Sequence, residues 1–474
     1  MKRNKFSLSH YNLVSLNQGR LVPIGHFEVL PGDTIQMSTS ALVRAAPLVA
    51  PIMHPVHVRI HHWFVPYRLL WTSWEDFITG GDNGTDASVP PYMTFTNPAA
   101  GSLANYMGVP TGTYTTPQVS AFPFRAYVKI FNEWYRDQDL VSEQALSTAS
   151  GLDTTTATNT LQIAWEKDYF TSARPWEQKG AAVTIPLQEA PYPRSPAIWV
   201  DRTTGAITSG AVTGQAGTGI VQVGGTSSVM LDADGLQIDV NDLRESLAIQ
   251  RYQEARARFG SRYTEYLRYL GVKSSDARLQ RPEYLGGGKQ TLQFSEVLQT
   301  AEGTNPVGMM RGHGIGAMRS NRFRRFFEEH GIVMTLMSVK PRTMYMQAMH
   351  RSWFRQTKED YWQKELEHIG QQEVYNREIY ALGGSPTGVF GYQDRYDEYR
   401  RHESRVAGEF ASTLKYWHMA RDLASQPTLN SSFVQADPTT RVYAATTSDQ
   451  LYCMAQHSIQ ARRMVAKTGS SFIF

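Results

Sequence analysis

The segment from Val56 to Phe77, VHVRIHHWFVPYRLLWTSWEDF, constrains the fold more than any other part of the chain. Its first half alternates with a period of two, which predicts a β-strand. One face of this strand would carry Val56, Val58, Ile60, His62 and Phe64, and the other His57, Arg59, His61 and Trp63. Proline cannot donate a hydrogen bond to a β-ladder, so we expect the strand to end at Pro66.

A dense aromatic segment follows this strand and contains Trp71, Trp74 and Phe77. Large aromatic side chains are typical of protein cores and of subunit interfaces. We therefore predict that these three residues serve in packing or in contacts between subunits.

The rest of the chain indicates a mainly β protein with helical insertions. Gly331 to Val339 is a short continuous apolar run, which suits a strand buried on both faces. Helical spacing of apolar residues from Phe124 predicts one amphipathic helix that ends near Asp139. A second helical region begins at Asn241 and resumes at Tyr263. Strands near both chain ends, with helices inserted between them, favour an antiparallel β body with long loops.

Composition excludes several classes of protein. The net charge of the 474 residues is only +4, so any interaction with nucleic acid must be local. The single cysteine, Cys453, cannot form an internal disulfide, which fits a reducing compartment. We find no signal peptide and no apolar run long enough for a membrane span, and we expect folding in the cytoplasm.

Two basic chain ends are the candidate DNA contacts. They comprise Lys2, Arg3 and Lys5 at the N-terminus and Arg462, Arg463 and Lys467 near the C-terminus. Arg322 to Phe327 is a third basic segment, in which arginines alternate with aromatics. It could bind phosphates and bases, or it could be a strand whose alternate residues face core and solvent.

No motif indicates a catalytic, cofactor or metal site. His54, His57, His61 and His62 form a histidine cluster. However, His57 and His61 would lie about 13 Å apart along a strand, too far to share a zinc ion. The glycines of Leu285 to Thr291 do not match a phosphate loop, and we expect Gly312 to Ala317 to form a flexible glycine loop rather than a dinucleotide site.

Several ordered blocks resemble the major capsid proteins of microviruses, the small icosahedral single-stranded DNA bacteriophages, and most closely their gokushovirus-like branch. The matching blocks are LPGDT at Leu30, FVPYRLLWTSWEDF at Phe64, FRAYVKIFNEWYRDQDL at Phe124, DYFTSARPWEQKG at Asp168, RFGSRYTEYL at Arg258, ARLQRPEYLGG at Ala277, EEHGIV at Glu328 and VFGYQDRYDEYR at Val389. They extend over nearly the whole chain and are far more specific together than any single motif.

The resemblance implies an eight-stranded antiparallel jelly roll with long insertions, forming one domain over residues 1–474. It implies a structural, non-enzymatic subunit of a T=1 icosahedral shell around circular single-stranded DNA, found in the virion and assembled in the bacterial cytoplasm. The implied partners are further copies of the chain, an internal scaffolding protein, a DNA pilot protein, a small basic packaging protein and a host surface receptor.

Residues 181–240 coincide with the insertion that forms a threefold protrusion in gokushovirus-like relatives. Here the insertion is short and rich in Gly and Thr. We favour a small β excursion on the surface over a disordered linker, because Asp234-Gly235 is typical of a hairpin turn. This polar region also motivates the alternative function, a jelly-roll module that binds carbohydrate or a receptor.

Overall fold

The protein is described by a computed structural model. The described residues are 3–181, 183, 188–189, 198–200, 207–209, 222–223, 227–228, 236–237, 240–259, 263–272, 275–276, 278–300 and 306–467. The chain divides into two compact units. One comprises Met1–Glu177 with Phe259–Phe474, and the other is Gln178–Arg258.

The first unit is built on one large antiparallel sheet. Its strands are β1 (Asn4–Ser7), β2 (His10–Leu16), β3 (Leu21–Val29), β4 (Thr34–Ala45), β5 (Val56–Pro66), β6 (Glu283–Leu298), β7 (Met310–Arg319), β8 (Phe323–Phe326), β9 (Gly331–Pro341) and β10 (Leu451–Arg463). Eight strands follow the order β1-β10-β4-β7-β6-β5-β9-β3, while β2 also pairs with β10 and β8 with β4.

The sheet has two halves, one with β5, β9 and β3 and the other with β7, β4, β10 and β1, and β6 is long enough to pair with both. The sheet curls at this shared strand. Residues 283–292 of β6 pair with β5, whereas residues 293–298 pair with β7. The two ends of the sheet approach each other where His457 of β10 donates to the carbonyl of Ile24 in β3 at 2.8 Å. An apolar cluster between the halves includes Ile24, Val58 and Ala455. The predicted mainly β, eight-stranded antiparallel jelly roll with helical insertions is confirmed.

The two buried strands follow their sequence patterns. In β5, Val56, Val58 and Ile60 lie in the core between the halves, and Trp63 faces the opposite side. The strand ends at Pro66, as predicted. Every residue of β9 is buried, which confirms the prediction for the apolar run from Gly331. Alternation in β5 and a continuous apolar run in β9 therefore identified these two neighbouring strands.

In the first unit, α3 covers the outer side of the β5 and β9 half. The α-helices of the described residues are α1 (Trp74–Thr79), α2 (Leu103–Tyr106), α3 (Phe122–Ile130), α4 (Val240–Phe259), α5 (Tyr263–Tyr269), α6 (Asn376–Ile379) and α7 (Ser431–Val434). Phe124, Tyr127 and Val128 of α3 join a core cluster with Met334 and Leu336 of β9. The amphipathic face of α3 is thus buried against the sheet.

The helix predicted to end near Asp139 ends earlier. After α3 the chain forms a π-helical turn, Phe131–Tyr135, and Arg136 is already extended, with ψ of 134°. Arg136 donates to the Val141 carbonyl at 2.9 Å, and the Asp137 carboxylate accepts the N–H of Asp139 at 3.2 Å. These local hydrogen bonds fold the chain back, which apolar periodicity alone does not reveal.

The segment from Gly312 to Ala317 is part of β7, so the prediction of a flexible glycine loop is wrong. A Cβ atom at Gly312 would lie 2.5 Å from the carbonyl oxygen of Ala50, and one at Gly314 would lie 2.7 Å from the Phe294 ring. Glycine is required here by close packing and not for flexibility.

Short elements complete the first unit. The two-residue strands Tyr92–Met93 and Val119–Ser120 pair, as do Gln371–Tyr375 and Val389–Asp394. The 3₁₀ turns are Tyr67–Leu69, Arg351–Phe354, Lys358–Asp360, Lys364–Leu366, Asp397–Tyr399, Gly408–Ala411 and Lys415–Trp417. Arg324 and Arg325 lie in β8, whose Phe323 is buried and whose other residues are exposed.

The second unit contains α4, which begins one residue before the predicted Asn241. Its short strand pairs are Gln188–Glu189 with Leu236–Gln237, Ile198–Val200 with Ile207–Ser209, and Gln222–Val223 with Ser227–Ser228. Most of the predicted insertion at 181–240, including the Asp234-Gly235 turn, lies outside the described residues. Within the part of the chain that is described, no helix is both long and apolar enough to cross a membrane.

Candidate functional site

One outer face of the sheet is not covered by the described insertions of the first unit. It is formed by β1, β2, β10, β4, β7, β8 and the second part of β6, and we call it the open face. In β10 the residues alternate strictly between buried and exposed, so Tyr452, Met454, Gln456 and Arg462 point away from the core. Antiparallel pairing places the side chains of paired residues on the same side of a sheet. The register therefore gives the layout of the whole face.

In the middle of this face, the strands β2, β10, β4 and β7 contribute one residue each to every row. The central row is apolar and consists of Leu13, Met454, Leu42 and Ala317. The flanking rows are Tyr11, Gln456, Ser40 and Arg319 on one side and Ser15, Tyr452, Arg44 and Ile315 on the other. A row near one sheet edge holds Lys5, Arg462, Thr34 and Phe326.

The open face is cationic. Its basic residues are Lys5, Arg44, Arg311, Arg319, Arg324 and Arg462, all of them exposed. No carboxylate occupies an outward position on these described strands, and none of the six has an ion-pair partner among the described residues. Like charges on neighbouring strands repel each other. The arrangement therefore favours an anionic partner.

Large apolar side chains stand among these charges. Tyr11 is 65% exposed, Leu13 78%, Tyr452 45% and Phe326 45%. The guanidinium of Arg3 also lies over the Phe326 ring, 5.0 Å from its centroid. Exposed rings beside arginines can stack with flat groups while the cations bind phosphates.

The structure brings some of the predicted DNA-contact residues together. Lys5 pairs with Arg462 across β1 and β10, and both are exposed. Arg463 is instead engaged, since its Nε lies 2.9 Å from the Asp33 carboxylate. Lys467 is exposed beyond the end of β10. Lys2 lies outside the described residues.

Sequence reasoning missed Arg44 and Arg311. Each is a single arginine within an otherwise uncharged or glycine-rich stretch, whereas Arg319 is the first of four arginines between residues 319 and 325. The sequence feature that could have identified them is their position within strands whose residues alternate between the core and the outer face. Their convergence depends on the register between β4 and β7.

The aromatic residues predicted for packing or interfaces occupy three environments. Trp71 is fully buried, and its indole N–H donates to Ser150 Oγ at 2.8 Å. Trp74 is half-buried against Tyr67, whose ring centroid lies 4.9 Å away. Phe77 is 37% exposed. Their role in subunit contacts remains a prediction.

Each histidine of the cluster has its own hydrogen-bond partner. His54 donates to the Arg342 carbonyl, His57 contacts Thr291, His61 contacts Tyr135, and His62 contacts both Thr335 and Ser320. Burial lowers the pKa of His62 to about 3 and that of His61 to about 4. Within the described ranges, no three His, Cys, Asp or Glu side chains converge in a metal-binding arrangement.

Comparison with known proteins gives one consistent result. The family model described as "Capsid protein (F protein)" matches residues 1–473. Capsid protein VP1 of Bdellovibrio phage phiMH2K is 35% identical over 92% of this chain and 88% of the relative. The VP1 proteins of Chlamydia phage 1 and Spiroplasma virus 4 are 32% and 31% identical, covering 96% and 92% of this chain and 92% and 88% of the relatives.

Proposed function

Because the chain belongs to the phage capsid protein (F protein) family, we propose that it forms a T=1 icosahedral shell whose open face binds the single-stranded DNA genome. A member of this family is a structural protein of the virion that assembles with further copies of itself. The assignment does not favour an enzyme or a free-standing carbohydrate- or receptor-binding module.

The observation that supports the DNA-facing role is the charge distribution on the sheet. The open face carries six exposed cations and no outward carboxylate on its described strands. On the opposite side, cations are paired with carboxylates, as in Arg59 with Glu166 and Arg68 with Glu329. An uncompensated basic surface repels itself and attracts a polyanion. Exposed Tyr11 and Tyr452 add stacking surfaces that accept any base.

Salt dependence tests this proposal. Purified subunits would be titrated with a fluorescent oligothymidine at several KCl concentrations, and the binding constant would be followed by anisotropy. If all six cations contact phosphates, the log–log slope should be about −4, from roughly −0.7 per phosphate on a single strand. Replacing Arg44 and Arg319 together by Gln should make this slope less steep by about 1.4.

The matched control is Lys358→Gln. Lys358 is 87% exposed on a 3₁₀ turn outside the sheet, so its loss removes a surface charge without changing the open face. Its slope should equal that of the unaltered subunit. The proposal fails if DNA binding is independent of salt, or if the Arg44 and Arg319 substitutions leave the slope unchanged.

The more specific partners belong to the same proposal. We infer that an internal scaffolding protein, a DNA pilot protein and a small basic packaging protein bind the shell from within, and that a host receptor binds it from outside. Co-production of the chain with its scaffolding protein should yield closed isometric particles by electron microscopy. A chain that stays monomeric under all such conditions would contradict the shell proposal.

A further inference from the structure

A cavity of about 350 Å³ lies outside the large sheet of the first unit, beside the 3₁₀ turn Arg351–Phe354. Its lining comes from two segments, residues 348–353 and residues 402–405. The backbone holds these segments together, since the N–H of Tyr345 donates to the Ser404 carbonyl at 3.1 Å. Ligand pockets range over roughly 300–1,000 Å³, so this cavity suits a single side chain or a small molecule.

Aromatic rings form flat walls of this cavity. The ring centroids of His350 and His402 lie 4.8 Å apart, and their planes differ by 12°. Trp353 lines the same cavity, although 72% of its surface is exposed. Tryptophan is among the residue types that supply most of the binding energy at interfaces. The walls therefore offer a surface on which a ligand can stack.

Three of the four imidazole nitrogens in these walls are engaged within the chain. His350 contacts Ser352 Oγ through Nδ1 at 2.8 Å and the Glu398 carbonyl through Nε2 at 3.3 Å. His402 Nδ1 donates to the Glu403 carbonyl at 3.0 Å. A metal ion needs free nitrogens or other converging ligands, which the described part of the chain does not bring together here. The geometry favours an organic ligand.

Glu403 is the only carboxylate among the described residues that line the cavity. No cation of these residues lies within 4.0 Å of its side chain, and no other described residue donates a hydrogen bond to it. Its carboxylate oxygens are not sealed off, so a ligand in the cavity can reach them. Partial burial raises the pKa of Glu403, because the charged form loses hydration. A cation bound beside it would offset this loss.

The basic residues of the same copy do not supply this cation. Arg405 also lines the cavity, but it is exposed and its guanidinium lies more than 4.0 Å from the Glu403 carboxylate. Water screens a charge that is exposed in this way. Arg351, in the adjacent turn, is paired with Glu378 at 3.0 Å. Glu403 is thus available to a cation from outside the subunit.

A guanidinium group fits this combination of flat walls and one carboxylate. It is planar, it stacks on aromatic faces, and it pairs with a carboxylate through two parallel N–H bonds. A lysine ammonium supplies only a compact and strongly hydrated charge. Trp353 and Glu403 line one cavity and together offer the stacking surface and the acceptor that arginine needs.

We propose that this cavity receives an arginine side chain from a second copy of the chain, which pairs with Glu403 and stacks on Trp353. The inference rests on the proposed shell, in which each subunit is surrounded by further copies. Charge complementarity supports it, because the net charge of +4 leaves cations in excess. Arg268 and Arg278, outside the open face, are exposed and have no ion-pair partner among the described residues. The contact joins two different surfaces, so it is heterologous and can repeat around a symmetry axis of a closed shell.

Photo-crosslinking inside assembled particles tests which chain occupies the cavity. In a minority of copies, p-benzoylphenylalanine would replace the lining residue Ser352, and these copies would be co-produced with the unaltered chain and its scaffolding protein. Irradiation should give a covalent dimer of the chain on denaturing gels. Mass spectrometry should place the link on an arginine-containing segment of the second copy. Links only within one chain, or only to a different protein, would overturn the proposal.

Two substitutions test the chemistry of the contact. Glu403→Gln removes the charge and Trp353→Ala removes the stacking surface, and each should raise the subunit concentration needed for particle formation roughly tenfold or more. Neither should lower the urea unfolding midpoint of the isolated subunit, because Glu403 has no ion-pair partner among its described residues and Trp353 is exposed. Trp353→Phe keeps an aromatic ring and should restore most of the assembly.

The matched control is Glu359→Gln. This carboxylate is 53% exposed on the 3₁₀ turn Lys358–Asp360 and does not line the cavity, so assembly should equal that of the unaltered chain. If the unaltered chain forms particles and both Glu403→Gln and Trp353→Ala assemble equally well, this inference is wrong and the shell proposal stands. If the unaltered chain forms no particles, the shell proposal itself is refuted, and the contact with it.

Discussion

The ion pair between Arg125 and Asp153 should be one of the strongest single interactions within the region that contains α3. Arg125 lies in α3, and both side chains are almost completely buried, with Nε 2.7 Å from Oδ2. The same guanidinium donates to the carbonyls of Leu70 and Ala149, each at 2.9 Å. One side chain therefore ties α3 to the segment that follows β5 and to the loop near residue 150.

Arg125→Met should lower the free energy of unfolding by about 3–5 kcal/mol, because it leaves a buried carboxylate and two buried carbonyls without their donor. A typical domain is stable by only about 5–15 kcal/mol, so the loss is a large fraction. Although burial alone raises the pKa of Asp153, hydrogen bonds from Thr156 and Arg125 outweigh it and hold that pKa below its usual value. This contribution is present at neutral pH and is lost as pH falls through the folded pKa.

Urea unfolding of the subunit, followed by tryptophan fluorescence, measures this loss. The matched control is Lys129→Met on the same helix, which breaks the partly exposed pair with Glu133 at 3.3 Å and should cost less than about 0.5 kcal/mol. In a double-mutant cycle, Arg125→Met with Asp153→Asn should cost at least about 1 kcal/mol less than the sum of the single changes. The reasoning is refuted if Arg125→Met costs under about 1 kcal/mol with an unchanged m-value.

Three further predictions concern other parts of the fold. His62 is neutral in the folded protein because burial lowers its pKa to about 3. The unfolded chain therefore binds a proton that the folded protein does not, and the free energy of unfolding falls as pH drops below about 6.5. In urea unfolding measured between pH 6 and 5, His62→Gln should reduce this pH slope by about 1.4 kcal/mol per pH unit. Trp74→Ala should destabilise the isolated subunit more than Phe77→Ser, because Phe77 is 37% exposed, and Phe77→Ser should also reduce particle yield in electron micrographs. Equal unfolding midpoints for the two variants would contradict the distinction. Gly25→Ala should lower the melting temperature, because the new Cβ would lie 2.6 Å from His457 Nε2, and an unaltered melting curve would show that the two sheet ends are not in contact.

Local patterns predicted the central strands well and the helix boundary less well. In β5 and β9 the buried positions are occupied by apolar residues, so the spacing of apolar residues along the sequence predicts both strands. The chain turns away after α3 because Arg136 donates a hydrogen bond to Val141 and Asp137 accepts one from Asp139. These polar contacts leave no trace in the spacing of apolar residues, so the end of the helix was predicted too late. The role of Gly312 was predicted wrongly because the group that requires a glycine there, the carbonyl of Ala50, is remote in the sequence.

The sequence by itself determined the fold class, the family and the basic chain ends, because alternation, ordered blocks and charge runs are properties of consecutive residues. Only the tertiary structure decided which isolated residues act together. Arg44 and Arg319 join the open face through strand register, and Trp353 and Glu403 line one cavity. Neighbours across a sheet are separated by tens to hundreds of residues along the chain, so a pattern read along the sequence cannot bring them together.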